Sequence, residues 1–296
     1  MVYQSIYGGI PLVKTLVCYA CDMDYRRVEN WQDRPELIKL KDLPDPPKEL
    51  YFSGKWDPEL FKNCVAVVGS RRMTEYGRRV IEKIIPRLVF EKKVVVSGFM
   101  YGVDQYAHQV CLENGGKTIA VLGWGISQPL TGTDRKLAEA IVARGGLLLS
   151  EWNDQQPTLW TFPVRNRIIV ALSDEVIVIE ATAKSGSLIT AKIAQKLKRK
   201  LWAVPGPITS PTSVGTNELI ATGTAGMWLG DQPQAQKPSS DPLLRLLTSD
   251  ALTPNEIART LHQPVSEIGA QLSLLALAGT LVEQAGKYTL NHAHQS

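Results

Sequence analysis

The stretch Val65-Ala66-Val67-Val68-Gly69-Ser70-Arg71 is followed by helical periodicity over Tyr76–Glu91. A β-branched run that stops at Gly-Ser and gives way to a helix is the start of a buried parallel strand and its crossover. The unit repeats. Short apolar runs recur at Val94–Val96, Thr118–Leu122, Leu147–Leu149, Val176–Ile179 and Leu201–Val204, most of them separated by helical stretches such as Thr133–Arg144. This alternation predicts an α/β domain with a parallel sheet and right-handed crossovers.

Small and polar residues follow each run: Gly69-Ser70-Arg71, Ser97-Gly98, Gly123-Trp124-Gly125, Ser150-Glu151, Glu180-Ala181 and Pro205-Gly206. Folds of this class gather their strand ends into one crevice, where a ligand can reach backbone N–H groups and helix N-termini. Helix caps and chain turns account for part of this pattern; they do not account for the arginines. Neither GxGxxG nor GxxxxGK[ST] is present, which argues against a dinucleotide fingerprint and an ATPase loop.

Phe162-Pro163-Val164-Arg165-Asn166-Arg167 precedes an apolar helix expected over Ile168–Leu172. Two guanidinium groups around an amide suit a polyphosphate or a nucleic-acid backbone. Trp160 and Phe162 can stack on an unpaired base. The alternative is a chance surface cluster or an internal salt bridge. Ser185-Gly186-Ser187, with Lys184 before it and Thr190 after it, opens a further helix and forms a second anion cradle. Asp104 and His108 lie four apart on one helical face; a structural hydrogen bond between them is expected rather than a catalytic pair.

Hydrophobic residues make up 44% of the 296 and charged residues 21%, as in soluble globular proteins. A net charge of +4 is too mild to argue for nucleic acid. Its distribution says more: Gln156–Lys200 holds eight Lys/Arg against three acids, whereas the segment from Asp241 onward holds three against five. Four cysteines suggest a reducing compartment and no disulfide framework. Cys18 and Cys21 form a CxxC without a second pair at zinc-site spacing, so neither metal nor redox work is expected of them. The apolar run Ile10–Cys21 contains Lys14 and reads as a core element, not a membrane span. The expected location is the cytoplasm.

Residues 1–56 read as a short N-terminal extension with a proline connector at Pro44, Pro46 and Pro47, and 57–230 as the main domain. Residues 231–240 have linker composition. In 241–296, a helix over Pro242–Leu247, a capping-box helix from Thr253-Pro254-Asn255-Glu256, a third helix over Val265–Ala278 and a hairpin broken at Ala285-Gly286-Lys287 give the winged-helix pattern. The third helix carries no Lys or Arg, which favours protein contact over duplex reading.

In this order the motifs resemble the DNA-processing protein A family (DprA, also called Smf). The resemblance rests on Val65–Arg71, Ser97-Gly98 with Gly102, Asp104, Ala107 and His108, and Gly116–Gly123. It continues through Phe162–Ile169, Glu180–Ala191, Ala203–Gly206 and Gly215–Ile220. It spans roughly Leu43 to Gly223. The segment Trp124–Leu130 departs from the Tyr-Pro that the family usually carries there. The resemblance implies an extended Rossmann-like domain, often with a winged-helix-like C-terminal domain. It also implies a homodimer that binds single-stranded DNA without cutting it, needs no cofactor and loads the RecA recombinase during natural transformation. By the same resemblance, Gly69, Ser70, Arg71, Ser97, Gly98, Phe162, Arg165, Asn166, Arg167, Lys184, Ser185, Gly186 and Ser187 are expected to line the strand-binding groove. Two rivals differ in class. One is a nucleoside-monophosphate hydrolase of the lysine-decarboxylase-like fold, for which Pro205-Gly206 and Gly215–Glu218 are the nearest match but lack the compact PGG-x-GT-x-x-E spacing. The other is a scaffold for an acidic protein.

Overall fold

Five buried residues, Cys64–Val68, form a central strand of the computed structural model. Residues 15–16, 24–230, 241–247, 251–277 and 280–290 are described, and they fall into two units, Met1–Gly230 and Asp231–Ser296. The first unit contains β1 (Thr15–Leu16), β2 (Tyr25–Arg27), β3 (Tyr51–Gly54), β4 (Cys64–Val68), α1 (Glu75–Phe90), β5 (Val94–Ser97), α2 (Val103–Glu113) and β6 (Thr118–Val121). It continues with α3 (Gly132–Ala143), β7 (Leu147–Ser150), α4 (Thr161–Leu172), β8 (Glu175–Val178), α5 (Gly186–Lys196), β9 (Lys200–Ala203), α6 (Val214–Ala221) and β10 (Gly226–Met227).

All ten strands make one sheet in the order β1-β2-β3-β7-β6-β5-β4-β8-β9-β10. From β7 to β10 the pairing is parallel; β1, β2 and β3 add to it antiparallel. This is an extended Rossmann-like α/β sheet. Its strand order reverses between β4 and β8, and a crevice opens at the carboxyl ends there.

Burial on both faces explains the strand composition. Cys64, Ala66 and Val68 of β4 join one apolar cluster and Val65 and Val67 another, as period-two alternation requires. In α1, Ile81, Ile84, Ile85 and Leu88 are buried at helical spacing, and the Thr74 side chain caps the helix by accepting from the Gly77 N–H.

From residue 24 the N-terminal segment belongs to this sheet and is no separate appendage. Trp31, Leu37, Leu40, Leu43 and Leu50 are buried in the cluster that covers one sheet face. So short a segment cannot build its own core, and its apolar side chains pack on the larger one. The expectations for Ile10–Cys21, apart from β1, and for the 231–240 linker lie outside the described residues.

In the second unit, α7 (Pro242–Leu246), α8 (Pro254–Leu261) and α9 (Val265–Leu277) precede the hairpin of β11 (Leu281–Gln284) and β12 (Lys287–Leu290). Thr253 and Glu256 complete the capping box. Ala285 and Gly286 both have positive φ, as a tight two-residue turn demands. Leu243, Leu247, Ile257, Ile268, Leu272 and Leu281 form this unit's own core. Among the described residues, no helix is long and apolar enough to cross a membrane.

Candidate functional site

A cleft of about 630 Å³ lies at the carboxyl ends of β4, β5 and β8. One wall is the turn after β4. Gly69 packs so closely that a Cβ there would stand 2.8 Å from Val103 Cγ2 and 3.1 Å from the Glu180 carbonyl oxygen. Ser70 Oγ accepts from the Arg72 N–H at 3.0 Å and folds the turn back. Arg71 and Arg72 are thereby exposed, and both line the cleft. The Arg71 guanidinium sits over the Phe162 ring, 4.9 Å from its centroid.

The facing wall is the start of α5. Ser185 caps it, accepting from the Ser187 N–H at 3.3 Å, and the two hydroxyls share a bond of 2.7 Å. Gly186 leaves open space beside the helix start, where a Cβ would meet nothing within 4 Å. Free N–H groups at a helix start favour an anion. Lys184 is exposed just before this cap but does not line the cleft.

Beneath lies a buried polar layer. Ser97 is fully buried and donates to the Val67 carbonyl at 2.6 Å. Gly98 is buried too; a Cβ there would strike the Asp104 carboxylate and the Arg165 guanidinium. The Gly98 carbonyl can only accept, so His108 Nε2 donates to it at 2.6 Å while Nδ1 faces the Thr118 hydroxyl at 2.7 Å. Burial holds His108 neutral, its pKa lowered to about 4. The expected Asp104–His108 bond is not made, because these partners take both ring nitrogens. Half-buried Asp104 rises from this layer into the cleft lining, and desolvation raises its pKa to about 6 against the pull of Arg165, the Ser97 hydroxyl and the Met100 backbone.

The Arg165-Asn166-Arg167 triplet does not precede its helix; it lies inside α4, which begins at Thr161. Consecutive helical residues point in different directions, and these three part company. Arg165 is 2% exposed, donating to the Val121 carbonyl and, at 3.2 Å, to Asn166 Oδ1. Burial draws its pKa down to about 10, with Asp104 opposing. Asn166 lines the cleft. Arg167 is not part of the lining: it grips Glu151 through two bonds of 3.0 and 2.6 Å. Of the residues expected to share one surface, Gly69, Ser70, Arg71, Phe162, Arg165, Asn166, Ser185, Gly186 and Ser187 line the cleft. Ser97 and Gly98 lie beneath it, and Arg167 and Lys184 outside.

The cleft also includes Arg72, Tyr101, Leu159, Thr182 and Thr212, which the sequence reading passed over. Arg72 could have been found as the second charge of an Arg-Arg pair; no local pattern marks the others. Glu180 clamps the site from below: its carboxylate accepts from the Thr74 N–H at 2.9 Å, the Thr74 hydroxyl at 2.5 Å and the Thr212 hydroxyl at 3.2 Å. Asn217 closes on Gly206 in both directions, at 3.1 and 3.0 Å, so this segment is a tied turn and not an open phosphate loop. Among the described residues, no cluster of three or more His, Cys, Asp or Glu could hold a metal ion. Cys64 and Cys111 are buried thiols pushed up to about 12 by desolvation. Cys18 and Cys21 lie outside the described residues.

Fold and site define an open Rossmann-like protein with a cationic, aromatic-lined crevice at its switch point. The chain belongs to the DNA recombination-mediator protein A family, whose model matches residues 28–236. It is 35% identical over 279 residues to protein Smf of Escherichia coli, covering 86% of this chain and 74% of that protein. It is 42% identical over 185 residues to the DNA processing protein DprA of Streptococcus pneumoniae, covering 62% of this chain and 64% of the relative. The crystal structure of the S. pneumoniae protein superposes with a TM-score of 0.61 at 39% identity, over 68% of this chain and 70% of that one. DNA processing protein A from Helicobacter pylori, described for its unique single-stranded DNA binding mode, superposes at 0.60 with 34% identity, over 69% and 90%.

Proposed function

We propose that this chain binds single-stranded DNA in the switch-point cleft and acts as a recombination mediator without breaking bonds. The observation that carries the reading is the joining of Arg71 and Phe162 in one wall, opposite the Ser185–Ser187 helix start. Guanidinium and helix N–H groups suit phosphates, while an aromatic face suits a base that has left its partner. His108 is sealed beneath the walls, both ring nitrogens taken by Gly98 and Thr118. The chain then works in the cytoplasm as a homodimer that protects incoming DNA and hands it to the RecA recombinase during natural transformation. Membership of a recombination-mediator family supports this role.

A gel-shift titration of single-stranded and duplex oligonucleotides at two salt concentrations tests the reading. Single strands should bind more tightly, with log affinity falling by about 0.7 per neutralised phosphate for each decade of salt. Preference for duplex, or affinity indifferent to salt, overturns it.

A further inference from the structure

The α5 helix differs from the other charged helices of its domain. On α1 and α3, Arg78, Arg87 and Arg135 each pair with a glutamate one turn away, Glu75 at 3.5 Å, Glu91 at 2.9 Å and Glu139 at 2.8 Å, while Arg79, Lys83 and Lys136 of these helices are exposed among acids of the same helix. Helix α5 contains no acid, and among the described residues Lys192, Lys196 and the following Lys198 are exposed without an ionic partner. Its neighbour α4 has no acid either, and α6 contributes only Glu218. A helix of mixed charge is an ordinary solvated face. An unneutralised one, leading away from an anion cradle, is not accounted for by solubility.

The stripe also has a direction. Ser187, Thr190, Ala191 and Ala194 are buried, which leaves Ile189, Lys192 and Lys196 exposed in succession on the outer face. The cradle at Ser185–Ser187 is the start of this same helix, so the lysines continue from the cleft wall without a break. Lys192 and Lys196 are separated by about 6 Å of helix rise, matching the step between phosphates in an extended strand.

We infer that the outer face of α5 is a second phosphate track, on which Lys192 and Lys196 hold the DNA backbone after it leaves the cleft. The inference rests on the single-stranded DNA reading and adds a site outside the cleft. Flexible ammonium groups suit a backbone held by charge alone.

Fluorescence anisotropy with thymidine oligomers of about 6 and about 30 nucleotides separates the two sites, since only the longer can span both. The K192Q/K196Q protein should bind the short oligomer as the unsubstituted chain does. It should lose roughly tenfold in affinity for the long one, with a salt slope shallower by about 1.4. A K83Q control on α1 should match the unsubstituted chain at both lengths. Unchanged affinity and slope for the long oligomer overturn the track, and so does an equal loss at both lengths, which places the lysines within the cleft's own site. If the unsubstituted chain binds neither oligomer, the single-stranded DNA reading itself fails and the track falls with it.

Discussion

The guanidinium of Arg71 lies 4.9 Å from the centroid of the Phe162 ring. One residue comes from the turn after β4 and the other from the first turn of α4, and the fold stacks them in one wall of the crevice. A cation and an apolar face thus form one surface, on which a phosphate and its base can be met together.

This pairing divides the labour in a measurable way. Arg71→Ala should weaken single-strand binding by about 1.5–3 kcal/mol and flatten the salt slope by about 0.7. Arg71→Lys should restore the slope more fully than the affinity, because ammonium lacks the planar face that stacks. Phe162→Leu, which keeps the apolar volume, should cost about 1–3 kcal/mol with the slope unchanged. Titrations at several salt concentrations decide it; equal slope changes in the arginine and phenylalanine variants would refute the division.

Glu180 holds the cleft in shape without lining it. Its removal in Glu180→Ala orphans the Thr74 N–H and takes the charged acceptor from the hydroxyls of Thr74 and Thr212, which keep only Gly77 and Ser210 as partners. We expect a loss of about 3 kcal/mol in urea unfolding, together with weaker DNA binding as the Arg71–Arg72 turn loosens. Glu218→Ala on α6 is the control and should stay within about 0.5 kcal/mol.

Acid acts on the buried layer in two opposing senses. The pKa of His108 is lowered to about 4, so the unfolded chain takes up its proton first and stability falls as pH drops from about 6.5. The pKa of Asp104 is raised to about 6, so here the folded chain takes up the proton first and stability is gained as pH drops through that value. The two largely offset each other between pH 4 and 6. Asp104→Asn removes the compensating partner, and its unfolding free energy should fall by about 3 kcal/mol from pH 6.5 to 4. Denaturation of both proteins across this range checks the sign; a variant no more acid-sensitive than its parent contradicts the assignment.

Gly102 sits at φ +89°, where a Cβ would press into the backbone of Ser70 and Arg71. Gly102→Ala should therefore cost more than about 2 kcal/mol and impair DNA binding, since it displaces the turn that presents Arg71. Gly223 is also at positive φ, +67°, but a Cβ there meets nothing within 4 Å. Its alanine variant should lose only about 1 kcal/mol and bind normally. Thermal melts alongside binding curves distinguish the two.

Much of the architecture was legible from periodicity. The six apolar runs are strands β4 to β9, and the Gly-Ser-Arg and Ser-Gly-Ser segments stand at strand and helix ends that face one cleft. Helix α4 begins at Thr161 and not at the expected Ile168; Pro163 falls in its first turn, where its missing N–H costs nothing. The N-terminal strands were missed for another reason. β2 and β3 are three and four residues long and become strands only by pairing onto β7 and each other.

What the chain determines locally is which elements form and which donors stand near strand ends, because both follow from side-chain period and turn chemistry. Which donors reach a ligand is decided by the tertiary structure. Arg165, Asn166 and Arg167 are adjacent in sequence, yet one is a buried part of the cleft lining, one lines it half-exposed and one is spent on Glu151 outside it. Helical rotation separates their directions, so that Arg165 meets the Val121 carbonyl of β6 and Arg167 meets Glu151, just past β7.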